Sequence, residues 1–571
     1  MNYYADGTLG AVQVRLARSG LTRWLDISGL QPVDLAARCT VDFLRPALSH
    51  MPDVEIISAQ VNASGQFAPP PSHLVPDYTP APPLIADLPP FCQILACQHT
   101  AGGHLEHIHI WVPLAWNDRF LATAGMGSIT GPVWFEQPAV RTMTMPIALR
   151  NGFATAATDG GNRNPRFFDW PLDPESGALD WELLRNWSYR ATHDMAVVAK
   201  AVIEALHGKA PSRSYYAGCS GGGRQAIAAA LRYPEDFDGI WASDPALNWT
   251  SLWPSAMWPA LVMKAHGTVL PPAKLEAFRQ AALEACDGAD GVRDGFIGLA
   301  ELRTFDARSA IGRDTPAGPI TPADAEVMAK LWDGPRRASG EPIGFGLPIG
   351  TESWGPVGIW KSEERDGRLE PVSLESQSYY RWVLEDPDFD WKTLSLERYE
   401  ELTDLGVEKF GDIATNDPDL SAFRDGGGKL LISQAVNDPV IQYESVVDYY
   451  QRVVAACGGE EQTRAFARLF CTDGDIHGTI AGPGPGLTTA SAMTALMAWV
   501  EQDEAPEEII AERIDVTTGR VVATRPTYPY PALTRYSGSG DPVLASSYRR
   551  SPGQSVFPRR GRGITPLSGR K

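Results

Sequence analysis

Tyr215-Tyr216-Ala217-Gly218-Cys219-Ser220-Gly221-Gly222-Gly223-Arg224-Gln225 decides how this 571-residue chain is read. Ser214 to Ala217 has the character of a buried strand, and Gln225 to Arg232 (QAIAAALR) that of a packed helix. A serine between glycines at such a junction predicts a strained strand-to-helix turn that lifts the Ser220 hydroxyl out of the sheet. Glycine at Gly218 and Gly222 is expected to let strand and helix pass closely. The plainer reading is a Gly-rich turn; the strand before it and the helix after it favour a nucleophile.

A serine hydroxyl is a weak nucleophile and needs an imidazole to take its proton and a carboxylate to orient that imidazole. After such a turn the chain order is serine, acid, histidine, with acid and histidine on loops that follow late strands. Gly428-Lys429-Leu430-Leu431-Ile432-Ser433 reads as one such strand, and the loop beyond it carries Asp438, the expected acid. Ala467 to Cys471 reads as the next, and Thr472-Asp473-Gly474-Asp475-Ile476-His477-Gly478 carries His477, the expected base. Asp473 and Asp475 share the histidine's own loop and are expected to be solvated or loop-capping. An oxyanion needs two N–H donors. Gly221, directly after the serine, is expected to supply one; the other is expected from the Gly125-Met126-Gly127-Ser128 loop after the strand-like Arg119 to Ala124, with Gly127 and Ser128 as alternatives.

The separation of Ser220 from Asp438 far exceeds one strand-helix unit, so a large insertion is expected. The division predicted is an arm at 1–34, an α/β core at 35–247 and 426–536, a lid domain at 248–425 rich in Trp, Pro and Gly, and a basic disordered tail at 537–571. Strand signals such as His107 to Val112 and helical stripes such as Met195, Val198, Ala199, Val202, Ile203 and Leu206 mark a core of parallel strands flanked by helices. Within the lid, Asp287, Asp290 and Asp294, with the carbonyls of Val292 and Phe296, offer five oxygens from one tight Gly-rich loop, which suits Ca2+. The same residues also suit a polar turn.

A formal net charge of −19 disfavours nonspecific nucleic-acid binding, and no apolar run approaches a membrane span. No internal repeat, zinc-type spacing or dinucleotide fingerprint is present. A small-molecule partner is expected; the sequence is silent on oligomeric state.

The chain resembles the tannase and feruloyl esterase family, which includes mono(2-hydroxyethyl) terephthalate hydrolase. The resemblance rests on Leu88-Pro89-Pro90-Phe91-Cys92, Tyr189-Arg190-Ala191-Thr192-His193, the Ser220 turn with Gly223-Arg224-Gln225, and Arg232-Tyr233-Pro234-Glu235-Asp236-Phe237-Asp238-Gly239-Ile240. It continues through the Asp438 and His477 loops to Thr524-Arg525-Pro526, Tyr528-Pro529-Tyr530-Pro531 and Arg535-Tyr536. It implies an α/β-hydrolase fold with a lid domain, a structural lid calcium, and a serine carboxylesterase acting on esters of aromatic acids through Ser220, His477 and Asp438. Trp354 to Trp360 and Tyr379 to Trp382 are candidate linings for an aromatic acyl group, or else lid core. Acyl transfer to another acceptor and a catalytically decayed binding module are the alternative functions.

The departures are informative. Such proteins link a cysteine before the serine to one after the histidine, yet here Cys219 is met by Gly478. Cys286 is met by Arg303, and Tyr528 replaces a further cysteine; only Cys39 and Cys92 sit where a pair is implied. Cys219 is therefore expected to stay a thiol. An odd count of seven cysteines and a start broken by Arg15 and Arg18, with no visible signal peptide, point to a reducing compartment and a cytoplasmic location, extracellular being the alternative.

Overall fold

The computed structural model describes residues 22–69, 84–123, 125, 127, 144–162, 168–301, 305–352, 362–365, 368–371, 374–478, 482–515 and 517–553. Its centre is a nine-stranded sheet. Seven strands come first: β1 (Val54–Asn62), β2 (Phe91–His99), β3 (Leu105–Pro113), β4 (Arg119–Thr123), β5 (Ala154–Thr158), β6 (Arg213–Cys219) and β7 (Gly239–Ser243). A separate hairpin, β8 (Ser362–Arg365) and β9 (Arg368–Pro371), precedes the last two strands of the sheet, β10 (Lys429–Ala435) and β11 (Ala467–Thr472). The order is β1-β2-β3-β5-β4-β6-β7-β10-β11. The six strands from β5 to β11 in this order are parallel, and β1, β2 and β3 form an antiparallel flank.

Strand periodicity of two sorts the apolar side chains onto the two faces. Phe120, Tyr216, Ile240, Leu430, Ile432 and Leu469 pack with the helices Ala191–His207, Gly221–Arg232 and Tyr443–Ala456. Leu121, Tyr215, Trp241, Leu431 and Phe470 face the helices Met145–Arg150 and Thr489–Gln502. With both faces covered, the central strands read as near-continuous apolar runs, which is why the sequence signalled them. The stripe Met195, Val198, Ala199, Val202, Ile203 and Leu206 is buried along its helix. The fold is α/β, a mixed and mostly parallel sheet flanked by helices.

β7 and β10 are neighbours in the sheet although 185 residues of chain, 244–428, run between them. That insertion has its own apolar core, built round Trp249, whose ring lies 5.2 Å from Phe410 and 6.1 Å from Trp382. The boundary expected at residue 248 is crossed by packing: Trp170, Leu172, Leu179, Leu183, Leu184 and Trp187 belong to the same core. Tyr379, Tyr380 and Trp382 are buried there as well, so they fill the insertion rather than line a substrate channel. Trp354 to Trp360 lies outside the described residues.

After the helix Thr489–Gln502 come β12 (Ile509–Asp515) and β13 (Arg520–Thr527), an antiparallel ribbon, then β14 (Leu533–Tyr536) and β15 (Tyr548–Ser551). The expectation of disorder from residue 537 is corrected here. β15 pairs with β14 because Tyr548 is buried, takes the Arg525 guanidinium over its ring at 4.5 Å, and donates its hydroxyl to the Pro542 carbonyl at 2.7 Å. Residues 554–571 lie outside the described part. Among the described residues, no helix is long and apolar enough to cross a membrane.

One ion pair clamps the rear edge of the sheet. Glu501 receives two bonds from Arg119, at 2.7 and 2.6 Å, and one from the Tyr215 hydroxyl at 2.6 Å, joining β4, β6 and the last long helix. Burial alone would raise the Glu501 carboxyl; the hydrogen bonds from Arg119 and Tyr215, with Arg119's charge, outweigh it and hold the group below its ordinary value. Glu501→Gln is expected to destabilise the protein at neutral pH by about 1–2 kcal/mol, allowing for partial exposure, with activity per folded molecule unchanged. A carboxyl depressed on folding adds stability above its unfolded value of 4.5 and loses it as pH falls through its folded value. Denaturant titration of both proteins should therefore find the gap closing in acid; a gap independent of pH overturns this account.

Candidate active site

β6 ends at Cys219 and the next helix starts at Gly221, so all the turning is done at Ser220, with φ 60° and ψ −122°. A non-glycine residue there is strained and needs to be held on both sides. Ser220 N–H donates to the Ser243 carbonyl at 2.9 Å, and its own carbonyl accepts from Arg224 N at 3.0 Å and Ala246 N at 3.1 Å. The close pass falls at Gly223, where a Cβ would stand 2.6 Å from Ser243 O and 2.8 Å from Pro245 Cα. The sequence assigns that task to Gly218 and Gly222; the structure shows a close pass at Gly223. Arg224 is buried, and donates to the carbonyls of Ser188 at 2.7 Å and Trp187 at 2.9 Å, with its guanidinium 4.0 Å above the Trp187 ring. Burial lowers the guanidinium to about 9.

β10 and β11 deliver the other two expected residues to the same edge. His477 Nε2 lies 3.0 Å from Ser220 Oγ, and His477 Nδ1 lies 2.7 Å from Asp438 Oδ2. Asp438 is fully buried, and its Oδ1 accepts from Val440 N at 2.7 Å and Ile441 N at 2.9 Å. Burial pushes its carboxyl above the ordinary carboxylate value; His477 and the Ile441 N–H oppose this, and Asp244 adds to it. With the Nδ1 proton held by Asp438, the Nε2 lone pair faces the serine hydroxyl, and the half-buried Ser220 can be reached from outside.

Asp473 and Asp475 have other work. Asp475 accepts from the Thr472 hydroxyl at 2.9 Å, shaping the histidine loop. Asp473 accepts from Leu299 N at 2.8 Å, and Asn437 donates to the Ile297 carbonyl at 3.3 Å while accepting from Gly474 N at 2.9 Å. The insertion is thereby fastened to the loops of both Asp438 and His477.

Gly221 opens the helix after the serine, and Gly127 has φ 56°; Ser128 lies outside the described residues. Gly125 N donates to Gln225 Oε1 at 3.1 Å, and the same oxygen accepts from the Tyr216 hydroxyl at 3.1 Å. One amide on the elbow helix thus anchors the loop expected to complete an oxyanion site.

The structure also brings in Asp244, which sequence reasoning missed. It is fully buried at the end of β7 with φ 41°, and its carboxylate reaches Ala435 N, Gly478 N and Cys219 Sγ. Its signal was a lone acid closing the apolar run Gly239-Ile240-Trp241-Ala242-Ser243. Asp244, Asp438 and His477 offer ligand atoms within 4.8 Å of one another, and among the described residues they are the one such group that could hold a metal ion. Each of the three is also engaged in the hydrogen bonds just given.

Asp287, Asp290 and Asp294 do not make such a group. Asp287 accepts from Asp294 N at 3.1 Å and Gly295 N at 3.0 Å, Asp290 from Val292 N at 2.9 Å, and Asp294 pairs with Arg525 at 2.6 Å. Glu301, unforeseen in the sequence, accepts from Gly288 N at 2.8 Å and Gly298 N at 3.0 Å. Burial, with Asp290 and Asp287 adding, raises Asp294 to about 6 against the pull of Arg525; burial, with Asp290 and Asp294 adding, raises Glu301 to about 7. Carboxylate oxygens are the donor type a divalent cation takes, although Asp287, Asp290 and Asp294 do not bring theirs together in the structure.

All seven cysteines are thiols. The expected pair Cys39 and Cys92 are both buried, and Cys39 together with burial pushes the Cys92 thiol up. Arg303 lies outside the described residues.

Comparison with known proteins agrees with this architecture. The sequence pattern described as "Tannase and feruloyl esterase" matches residues 92–551. The chain is 34% identical over 452 residues to a "Probable feruloyl esterase" of Arthroderma benhamiae, covering 77% of this chain and 82% of that protein. It is 29% identical over 531 residues to the "Mono(2-hydroxyethyl) terephthalate hydrolase" of Piscinibacter sakaiensis, covering 81% and 85%. Its fold is similar to feruloyl esterase B from Aspergillus oryzae, with a TM-score of 0.75 at 21% identity over 91% of this chain and 100% of that one. The tannin acyl hydrolase from Aspergillus niger gives the same TM-score, 0.75, at 18% identity over 97% of both chains. With the family pattern spanning most of its length, this chain belongs to the tannase and feruloyl esterase family and is a carboxylic ester hydrolase.

Proposed function

We propose that the protein hydrolyses esters of aromatic acids by a serine acyl-enzyme mechanism. The observation that carries this reading is His477 set between Asp438 at 2.7 Å and Ser220 at 3.0 Å. Ser220 Oγ attacks the ester carbonyl as its proton passes to His477 Nε2, and Asp438 stabilises the imidazolium through Nδ1. The oxyanion is met by Gly221 N–H and by a donor at Gly127 or Ser128, close in sequence to Gly125, whose N–H donates to Gln225. His477 then returns the proton to the departing alkoxide, and a water activated by the same imidazole releases the acid. The acyl groups named for the relatives, feruloyl and terephthalate, are aromatic, which supports an aromatic acyl pocket here, with the lid at 248–425 covering it. An intact hydrogen-bonded set argues against a decayed binding module.

A fluorophosphonate is expected to label Ser220, and a panel of aromatic-acid esters to be turned over. Ser220→Ala and His477→Ala should each lower kcat by about 10⁴-fold or more while circular dichroism stays native. Retained turnover in either sinks the assignment, and ester exchange onto added alcohol outrunning hydrolysis replaces it with acyl transfer.

The reading extends to the Asp287 loop as a structural Ca2+ site, in which Asp287, Asp290 and Asp294, the carbonyls of Val292 and Phe296, and Glu301 would hold the ion. An ion held there would offset the mutual repulsion of the carboxylates and would stiffen the segment that Leu299 and Ile297 fasten to the Asp438 and His477 loops. A chelator should lower Tm, added Ca2+ should restore it, and metal analysis should find about one ion per chain. An unchanged melt with no metal found removes the site.

A further inference from the structure

The Asp244 carboxylate lies where the segments that carry Ser220, Asp438 and His477 meet. Its Oδ1 accepts from Ala435 N at 2.8 Å, at the end of the strand that leads to Asp438. Its Oδ2 accepts from Gly478 N at 3.1 Å, the peptide directly after His477, and receives Cys219 Sγ at 3.7 Å, the residue directly before Ser220. Ser243 Oγ adds a contact at 3.3 Å, and Asp244's own N–H donates to the Ser433 carbonyl at 2.8 Å. A carboxylate removed from water is destabilising unless its oxygens are met by donors, and here both are. The residue also bears a left-handed φ of 41°, which aspartate tolerates better than most. A buried charge at a strained position is thus matched to two peptide N–H groups and a thiol that come from three separate segments of the chain.

We propose that Asp244 is the positioning residue of this site, a non-covalent tie that holds the His477 loop onto the Ser220 elbow. The tie spans Cys219 and Gly478, the two positions at which the family resemblance implies a disulfide that Gly478 rules out. A hydrogen-bonded carboxylate does the work of a covalent link without requiring an oxidising compartment. It acts on the imidazole through Gly478 N–H: with that peptide released, His477 keeps its bond to Asp438 but loses its register on Ser220. The inference rests on the functional reading above, in that the register matters only where Ser220 and His477 react.

The test uses the full-length chain with 4-nitrophenyl acetate as substrate and a fluorophosphonate as active-site titrant. Asp244→Asn is nearly isosteric but has one acceptor oxygen for two peptide N–H groups; Asp244→Ala has none. Per titrated site, kcat is expected to fall about 10-fold in Asp244→Asn and about 100-fold in Asp244→Ala, with KM within about twofold. The fluorophosphonate labelling rate should fall in step. A merely structural role would lower Tm and the titratable fraction while sparing kcat per titrated site, and that result overturns the proposal. If Asp244→Ala does not fold, Asp244→Asn decides. Reductant should leave wild-type kcat unchanged within about twofold, because the tie is not covalent; a large loss would reveal a bridge through Cys219 and overturn it too. Wild-type protein that is never labelled at Ser220 defeats the functional reading itself, whereas labelled wild type with unaltered Asp244 variants defeats only this inference.

Discussion

Parallel pairing of β6, β7, β10 and β11 is the constraint on which everything else in this molecule depends. The registers match Cys219 with Ser243, Ser243 with Ser433, and Ala435 with Thr472, so four strands run out at one edge and leave their following loops side by side. Ser220, Asp244, Asp438 and His477 all lie on those loops. Residues 257 positions apart in the chain come within hydrogen-bond distance because the sheet, not the loops, sets their spacing. A slip of one residue in any of these ladders would turn the strand's side chains to the opposite face and carry its loop out of reach.

At that edge the protein gathers carboxylates that water would otherwise separate. Asp244 and Asp438 are both fully buried, and Asp475 nearly so. They are tolerated because peptide N–H groups converge on them: two on Asp438, two on Asp244, one on Asp475. Each hydrogen bond to a charged group is worth more than one between neutral groups, and each also fixes a loop peptide. The same economy joins the insertion to the sheet. Asp473 and Asn437 reach from the histidine and aspartate loops to Leu299 and Ile297, immediately after the acidic Asp287 to Phe296 turn.

Much of this was legible in the sequence because buried parallel strands and the elbow leave strong local marks. The run Lys429 to Ser433, the run Ala467 to Cys471 and the turn at Ser220 are apolar or glycine-rich in ways a loop is not, and the structure has strands or a turn at each. Other features leave no local mark. Trp170 to Trp187 reads as part of the sheet's own half of the chain yet packs into the insertion's core, because apolar surface buries wherever a partner face is offered. The stretch after residue 537 reads as a polar, basic tail, yet one buried tyrosine under Arg525 suffices to fold part of it back as β15. Asp244 is one acid among 69 acidic residues, and its place at the end of an apolar run does not say that Cys219, Ala435 and Gly478 will converge on it.

By itself, then, the sequence determined the elbow, the strands that carry the two loops, the identities of Ser220, Asp438 and His477 as the residues to watch, and the family to which they belong. These follow from short-range chemistry: glycine where the backbone turns sharply, apolar runs where strands are covered on both faces, and a polar residue left standing where the strand ends. Only the tertiary structure decided the distances among those residues, the close approach at Gly223, the seat of Asp244 between Cys219 and Gly478, and the fastening of the insertion to the Asp438 and His477 loops. Those depend on contacts between segments hundreds of residues apart, whose partners are chosen by strand order and burial and carry no signature in either segment alone.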